Sequence, residues 1–231
     1  MKQTQQKSSK DETSPWMKWA YVGVALLVAV AMVGTYLAPL LDAPRNAQVG
    51  NTALIGYTIR GEDGRPLVTT NQNLAASEYE KNNLVFLTGN LEIPVGTLSS
   101  EGVEIVPIPV VYPTDAPNFG LMGFELGALS QGLVGMRVGE TRTVSLGAGA
   151  NDLALTLSRE DADEIGLNFT EIEVGDVFLR EFMVSSGVPV GNQTNQTSAL
   201  RFWKVSEKTS DSAIVTCRYG NAEVTLNGIT G

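Results

Sequence analysis

Residues 124–146 read FELGALSQGLVGMRVGETRTVSL, and they decide how the rest of the chain is read. Leu126, Leu129, Leu133 and Met136 recur at three- and four-residue steps, the spacing that lines one face of a short helix. Gly135, near the end of that pattern, can turn the chain out of a helix without a Cβ penalty. Gly139-Glu140 makes a turn, and TRTVSL at 141–146 alternates polar and apolar like a half-buried strand. A short helix is thus delivered into a strand through Gly-Met-x-x-Gly-Glu.

Upstream, residues 52–60 alternate as a strand. Gly61-Glu62-Asp63-Gly64 follows, an Asp-Gly step that favours a hairpin, and 67–70 form the returning strand. VGNTALIGYT at 49–58, followed by EDGR at 62–65, resembles the VGDxVxVxYTGxxxDG opening of the FKBP-type peptidyl-prolyl isomerases. The helix-and-strand stretch resembles the same family's G(L/A)xGMxxGExRxVxI. This resemblance implies an α+β fold, mostly antiparallel β, with a sheet wrapped on a short helix near 130–136. Downstream, IEVGDVF at 172–178 and the strand-like runs 200–205, 212–217 and 222–226 are similar, more loosely, to the insert-in-flap module of SlyD-like members, which binds unfolded chain. In that family the chain returns for a final isomerase-domain strand. Here 222–230 either supplies it or it is missing.

Residues 19–41 carry no charge and are long enough to span a hydrocarbon core, which takes ~20 apolar residues. Lys2, Lys7, Lys10 and Lys18 precede this stretch, and Arg45 is the one basic residue close behind it. The positive-inside rule therefore expects a single-pass membrane protein with a cytoplasmic N-terminus and everything after 41 outside the cell. The expected order is a cytoplasmic tail at 1–18, a transmembrane helix at 19–41 and a linker at 42–48. An FKBP-like domain at 49–150 follows, with an insertion at 71–118, and then the β module at 151–231. Within the insertion, Pro107, Pro109 and Pro113 exclude a central strand and favour an extended edge. Ser158 is a candidate cap for a helix over 159–165.

Composition narrows the chemistry. The chain has no histidine and one cysteine, Cys217, in a strand-like run that reads as core. Ser-His-Asp and Cys-His nucleophilic catalysis and histidine-based metal sites are excluded, and the reading calls for no metal and no cofactor. A formal net charge of -9 argues against nucleic acid as a partner. Asn168, Asn192 and Asn195 open glycosylation sequons, in keeping with a glycoprotein of the cell exterior. With the single anchor and the family resemblance, the chain resembles an archaeal envelope protein.

Prolyl isomerisation needs neither nucleophile nor proton shuttle. Its barrier is lost amide resonance, ~18–20 kcal/mol for an ordinary peptide bond, and a water-excluding pocket that fits the twisted imide lowers it by differential binding. Carried over residue by residue, the resemblance places Tyr57, Val68, Phe86, Phe124 and Leu129 at substrate-binding positions. Tyr57 matches the tyrosine of the YTG strand, and Phe86 and Phe124 are both candidates for the phenylalanine of the FxxG strand. Val68 stands where the family has an aspartate, and Leu129 where it has the aromatic pocket floor. The Ala-Tyr-Gly motif is absent from 147–153. Client binding is assigned to Phe178, Phe202 and Trp203. The expected function is binding of unfolded or proline-containing polypeptide, with weak or lost isomerase activity. Two alternatives stay open: an active isomerase, and a non-catalytic accessory subunit of a membrane complex.

Overall fold

The computed structural model describes residues 16, 23–24, 26–32, 46–99, 101–102, 104–147, 153–185 and 196–231. The chain divides into two units, Met1–Pro44 and Arg45–Gly231. In the first, the described residues 23–24 and 26–32 are helical, with Val24, Leu26, Leu27 and Val30 exposed. Among the described residues no helix is long and apolar enough to cross a membrane. The remainder of the stretch 19–41 lies outside the described residues.

The second unit is a mixed α+β fold built mainly from strands in two sheets. The first sheet runs in the order β6 (Val110–Tyr112), β3 (Phe86–Thr88), β2 (Pro66–Thr69), β1 (Thr52–Gly61), β13 (Tyr219–Thr230), β8 (Thr141–Ser145), and β4 (Leu91–Pro94) also pairs with β1. The Asp-Gly turn closes the β1–β2 hairpin with Gly64 at a φ of 80°. The second sheet runs β5 (Ile105–Ile108), β7 (Asn118–Met122), β11 (Gln196–Lys208), β12 (Ser212–Thr216), β9 (Ala154–Ser158), with β10 (Val177–Ser185) paired to β11. Pairing is antiparallel except at β2–β3 and β7–β11. The proline-bearing stretch forms β5 and β6, each at the end of its sheet, where a missing backbone donor breaks no ladder.

Residues 151–231, expected as one module, are divided between the sheets. β13 leaves its neighbours and pairs with β1, Tyr57 opposite Val224, and with β8, Val224 opposite Arg142. Burial drives this. Ala222, Val224 and Leu226 are fully buried beside Ile55, Tyr57 and Ile59 of β1, so both strands present alternating apolar faces to one core.

The helix that fills this core is α2 (Gly123–Gly132), after α1 (Gln72–Glu80); the last helix is α3 (Arg159–Glu164). The expected helix near 130–136 therefore begins earlier and ends sooner. Its start is fixed by Glu125, whose carboxylate accepts the Met122 backbone N–H at 2.8 Å. Its end is a turn closed at Gly135, which takes a φ of 77°. Leu126, Leu129, Leu133 and Met136 are all buried, the last two just beyond the helix. Ser158 caps α3 as expected, accepting the Asp161 N–H at 3.1 Å. Cys217 is buried in a second core cluster with Phe124, Leu157, Phe169, Trp203, Val205 and Val215. Burial pushes its thiol pKa up.

Candidate functional site

The five positions carried over from the family pattern do not meet at an open pocket. Tyr57, Val68, Phe86 and Leu129 are 0–2% exposed and share the main core, while Phe124 is 4% exposed and belongs to the second cluster. Phe124 sits in the first turn of α2, not on a strand, and Leu129 lies towards the end of that helix rather than at its start. Phe86 is committed to packing. Its ring centroid is 5.4 Å from Phe202 and 6.2 Å from Phe119, and Phe119 stacks on Tyr219 at 5.7 Å, so these rings join both sheets.

Tyr57 is held inside the sheet with its hydroxyl accepting from Thr88 Oγ1 at 2.8 Å, and burial pushes its pKa up to about 12. It also borders a hollow of about 320 Å³ with Gly56, Thr70, Asn90 and Asn227. Those walls are mainly amide and hydroxyl groups. Such a surface holds water, whereas stabilising a twisted imide requires water to be excluded.

The apolar concavity lies elsewhere. Pro66, Leu67 and Leu84 of the first sheet and its adjoining loop face Val177, Leu179 and Phe202 of the second, around a cleft of about 230 Å³. Arg65, Asn83 and Phe178 complete the lining. A drug-sized ligand or cofactor generally occupies ~300–1,000 Å³, so this volume suits one or two side chains of a peptide. One wall is β10, whose nine residues pair only with β11 among the described residues. Its other edge, unpaired among the described residues, offers backbone donors and acceptors, the feature an extended peptide uses to add itself to a sheet.

The three client-binding candidates are separated by strand alternation. Phe202 faces the main core and the cleft. Phe178 and Trp203, paired across β10 and β11, pack with the second cluster, although Phe178 also contributes to the cleft lining. Trp203 stacks on Phe182 at 5.9 Å with Arg180 above it at 5.6 Å. Asn168 is exposed, its side-chain oxygen accepting from the Thr170 hydroxyl at 2.7 Å. Asn192 and Asn195 lie outside the described residues.

No family model matches this chain, and no curated protein matches it. The site therefore rests on its own residues. Arg65, Pro66, Leu67, Leu84 and Leu179, which sequence reading leaves unassigned, form much of the cleft. Sequence reading also misses the contact that fixes the cleft's far wall. Arg201 of β11 is 0% exposed and makes two 2.8 Å bonds to the Glu125 carboxylate. It also donates to the carbonyls of Gly120, at 2.8 Å, and Cys217, at 2.9 Å, and lies over the Tyr219 ring at 4.5 Å. Burial works against this charge, but Tyr219 and the Glu125 carboxylate more than offset it and hold Arg201 above its ordinary pKa. One side chain thereby ties β11 to β7, to the start of α2 and to β13.

Proposed function

We propose that this chain is a membrane-anchored, extracytoplasmic, FKBP-like protein that binds unfolded or proline-containing peptide segments and has weak or no isomerase activity. The observation that carries this reading is the apolar cleft beside β10, whose outer edge is unpaired among the described residues, where Phe202 and Leu179 oppose Pro66, Leu67 and Leu84. An extended peptide gains backbone hydrogen bonds from the strand and buries alternate side chains in the cleft. The resemblance of 49–58 with 62–65, and of 132–146, to the family motifs supports the fold assignment. The burial of Tyr57, Val68, Phe86 and Leu129 supports the loss of catalysis, because a substrate proline finds no opening among them.

Leu84 provides the test, since it lines the cleft yet is 46% exposed, so the fold tolerates its replacement. With the full chain in lipid nanodiscs, a fluorescent extended apolar peptide is expected to bind at about micromolar Kd by anisotropy. Leu84→Lys, which puts a charge at the apolar wall, is expected to weaken binding about tenfold, equivalent to ~1.4 kcal/mol. In a protease-coupled assay the wild type is expected to leave prolyl isomerisation near its uncatalysed rate. Strong isomerisation, with peptide binding indifferent to Leu84→Lys, would contradict the reading.

A further inference from the structure

Beside the apolar cleft, and sharing Arg65, Leu67, Val177 and Phe202 with it, is a narrow recess of about 20 Å³. Its lining holds three cations, Arg65, Lys204 and Arg218, and two carboxylates, Glu62 and Asp63, leaving one positive charge in excess. Arg65 is already engaged, with its Nε 2.8 Å from Asp63. Lys204 and Arg218 form no ion pair among the described residues, and the Arg218 Nε–H is buried without an acceptor. A buried donor left unsatisfied is costly, and an unpaired cation is unusual in a chain whose formal net charge is -9. The Asp63 carboxylate, part of the same lining, senses the local field. Burial alone would raise the Asp63 pKa, but hydrogen bonds from Arg65 and the charges of Arg65 and Lys204 hold it below its ordinary value.

We propose that this recess receives the carboxylate of an aspartate or glutamate side chain, so that the cleft selects extended peptides in which an acidic residue neighbours an apolar one. The inference rests on the peptide-binding reading above and adds the ligand's charge to it. A side-chain tip suits a space of about 20 Å³, whereas a chain terminus would bring its own side chain and peptide unit. An acidic side chain also lets the peptide continue along β10, as strand addition requires. Inside the recess the carboxylate accepts from Arg218 Nε and faces Lys204, a charge-assisted contact partly shielded from water.

Three peptides of one apolar sequence test this on the full chain in nanodiscs of neutral lipid. One is blocked at both ends and carries a central Glu, one is blocked and carries Gln there, and one carries Gln with a free C-terminus. The Glu peptide is expected to bind about tenfold tighter than the blocked Gln peptide at low salt, with the preference shrinking in ~0.5 M NaCl. Arg218→Met is expected to reduce that preference to about twofold or less. If Arg218→Met loses the wild-type circular dichroism spectrum, Lys204→Met, at a half-buried position of β11, is expected to reduce the preference in its place. Equal binding of the blocked Glu and Gln peptides overturns the acidic-residue site while leaving the cleft reading standing. Tighter binding of the free-terminus peptide than of the Glu peptide overturns it in favour of a chain-end site. If no peptide binds, both readings fall.

Discussion

Arg201→Met is expected to destabilise the fold by about 3–5 kcal/mol, enough to unfold a domain of ordinary stability. The loss follows from what remains behind. Among the described residues Glu125, 1% exposed, would keep only the Met122 N–H as a partner, and the Gly120 and Cys217 carbonyls would each lose a donor. Replacing both members of the pair, as in Arg201→Met with Glu125→Leu, is expected to cost less than the two single changes summed, because no orphaned charge is left in the core. Urea denaturation followed by tryptophan fluorescence measures this directly, with Trp203 two residues from the substitution. A loss below about 1 kcal/mol for Arg201→Met would place the pair in a solvated setting and remove it as the tie between the sheets.

Val68→Asp bears on the five family-pattern positions. If Val68 bordered an open pocket, restoring the family's aspartate would improve catalysis at modest cost. In the structure Val68 is 0% exposed, on β2 between Ile59 of β1 and Phe86 of β3. A carboxyl there would stand among the apolar side chains of the main core, and burial would favour its protonated form. The expected result is a loss of at least ~3 kcal/mol, seen as a collapsed melting transition, with no gain in isomerase rate. Val68→Thr, which nearly preserves volume, is expected to cost about 1–3 kcal/mol and serves as the graded control. A well-folded Val68→Asp protein with raised isomerase activity would return Val68 to the wall of a working site.

These outcomes trace where sequence was legible and where it was not. Local rules carried well. The Asp-Gly turn, the Ser158 cap, the burial of Cys217 and the edge placement of the strands on either side of Pro109 all depend on residues within a few positions of each other. The α2 boundary failed because apolar spacing continues through Leu133 and Met136 into a turn, and periodicity alone does not mark where hydrogen bonding stops. Long-range pairing was hidden for a different reason. Glu125 and Arg201 are 76 residues apart, and one sequence does not report which charges meet. A trace of the pair was present: Arg201 shares strand parity with Trp203 and Val205, so it stands on an apolar face where a charge requires a buried partner. The cleft was least legible, since its walls come from a hairpin return, a loop and two strands of the other sheet, which are distant in sequence.

Hydrogen–deuterium exchange on the peptide complex of the full chain tests the central claim most directly. Among the described residues β10 pairs on one side only, so the backbone N–H groups along its other edge are expected to exchange readily in the free protein. Saturating apolar peptide is predicted to slow exchange within 177–185 and in the segment 65–67, and to leave β3 and α2 unchanged. Protection centred instead on Tyr57, Phe86 and Leu129, with 177–185 unaffected, would contradict the account and move the binding site into what is described here as core.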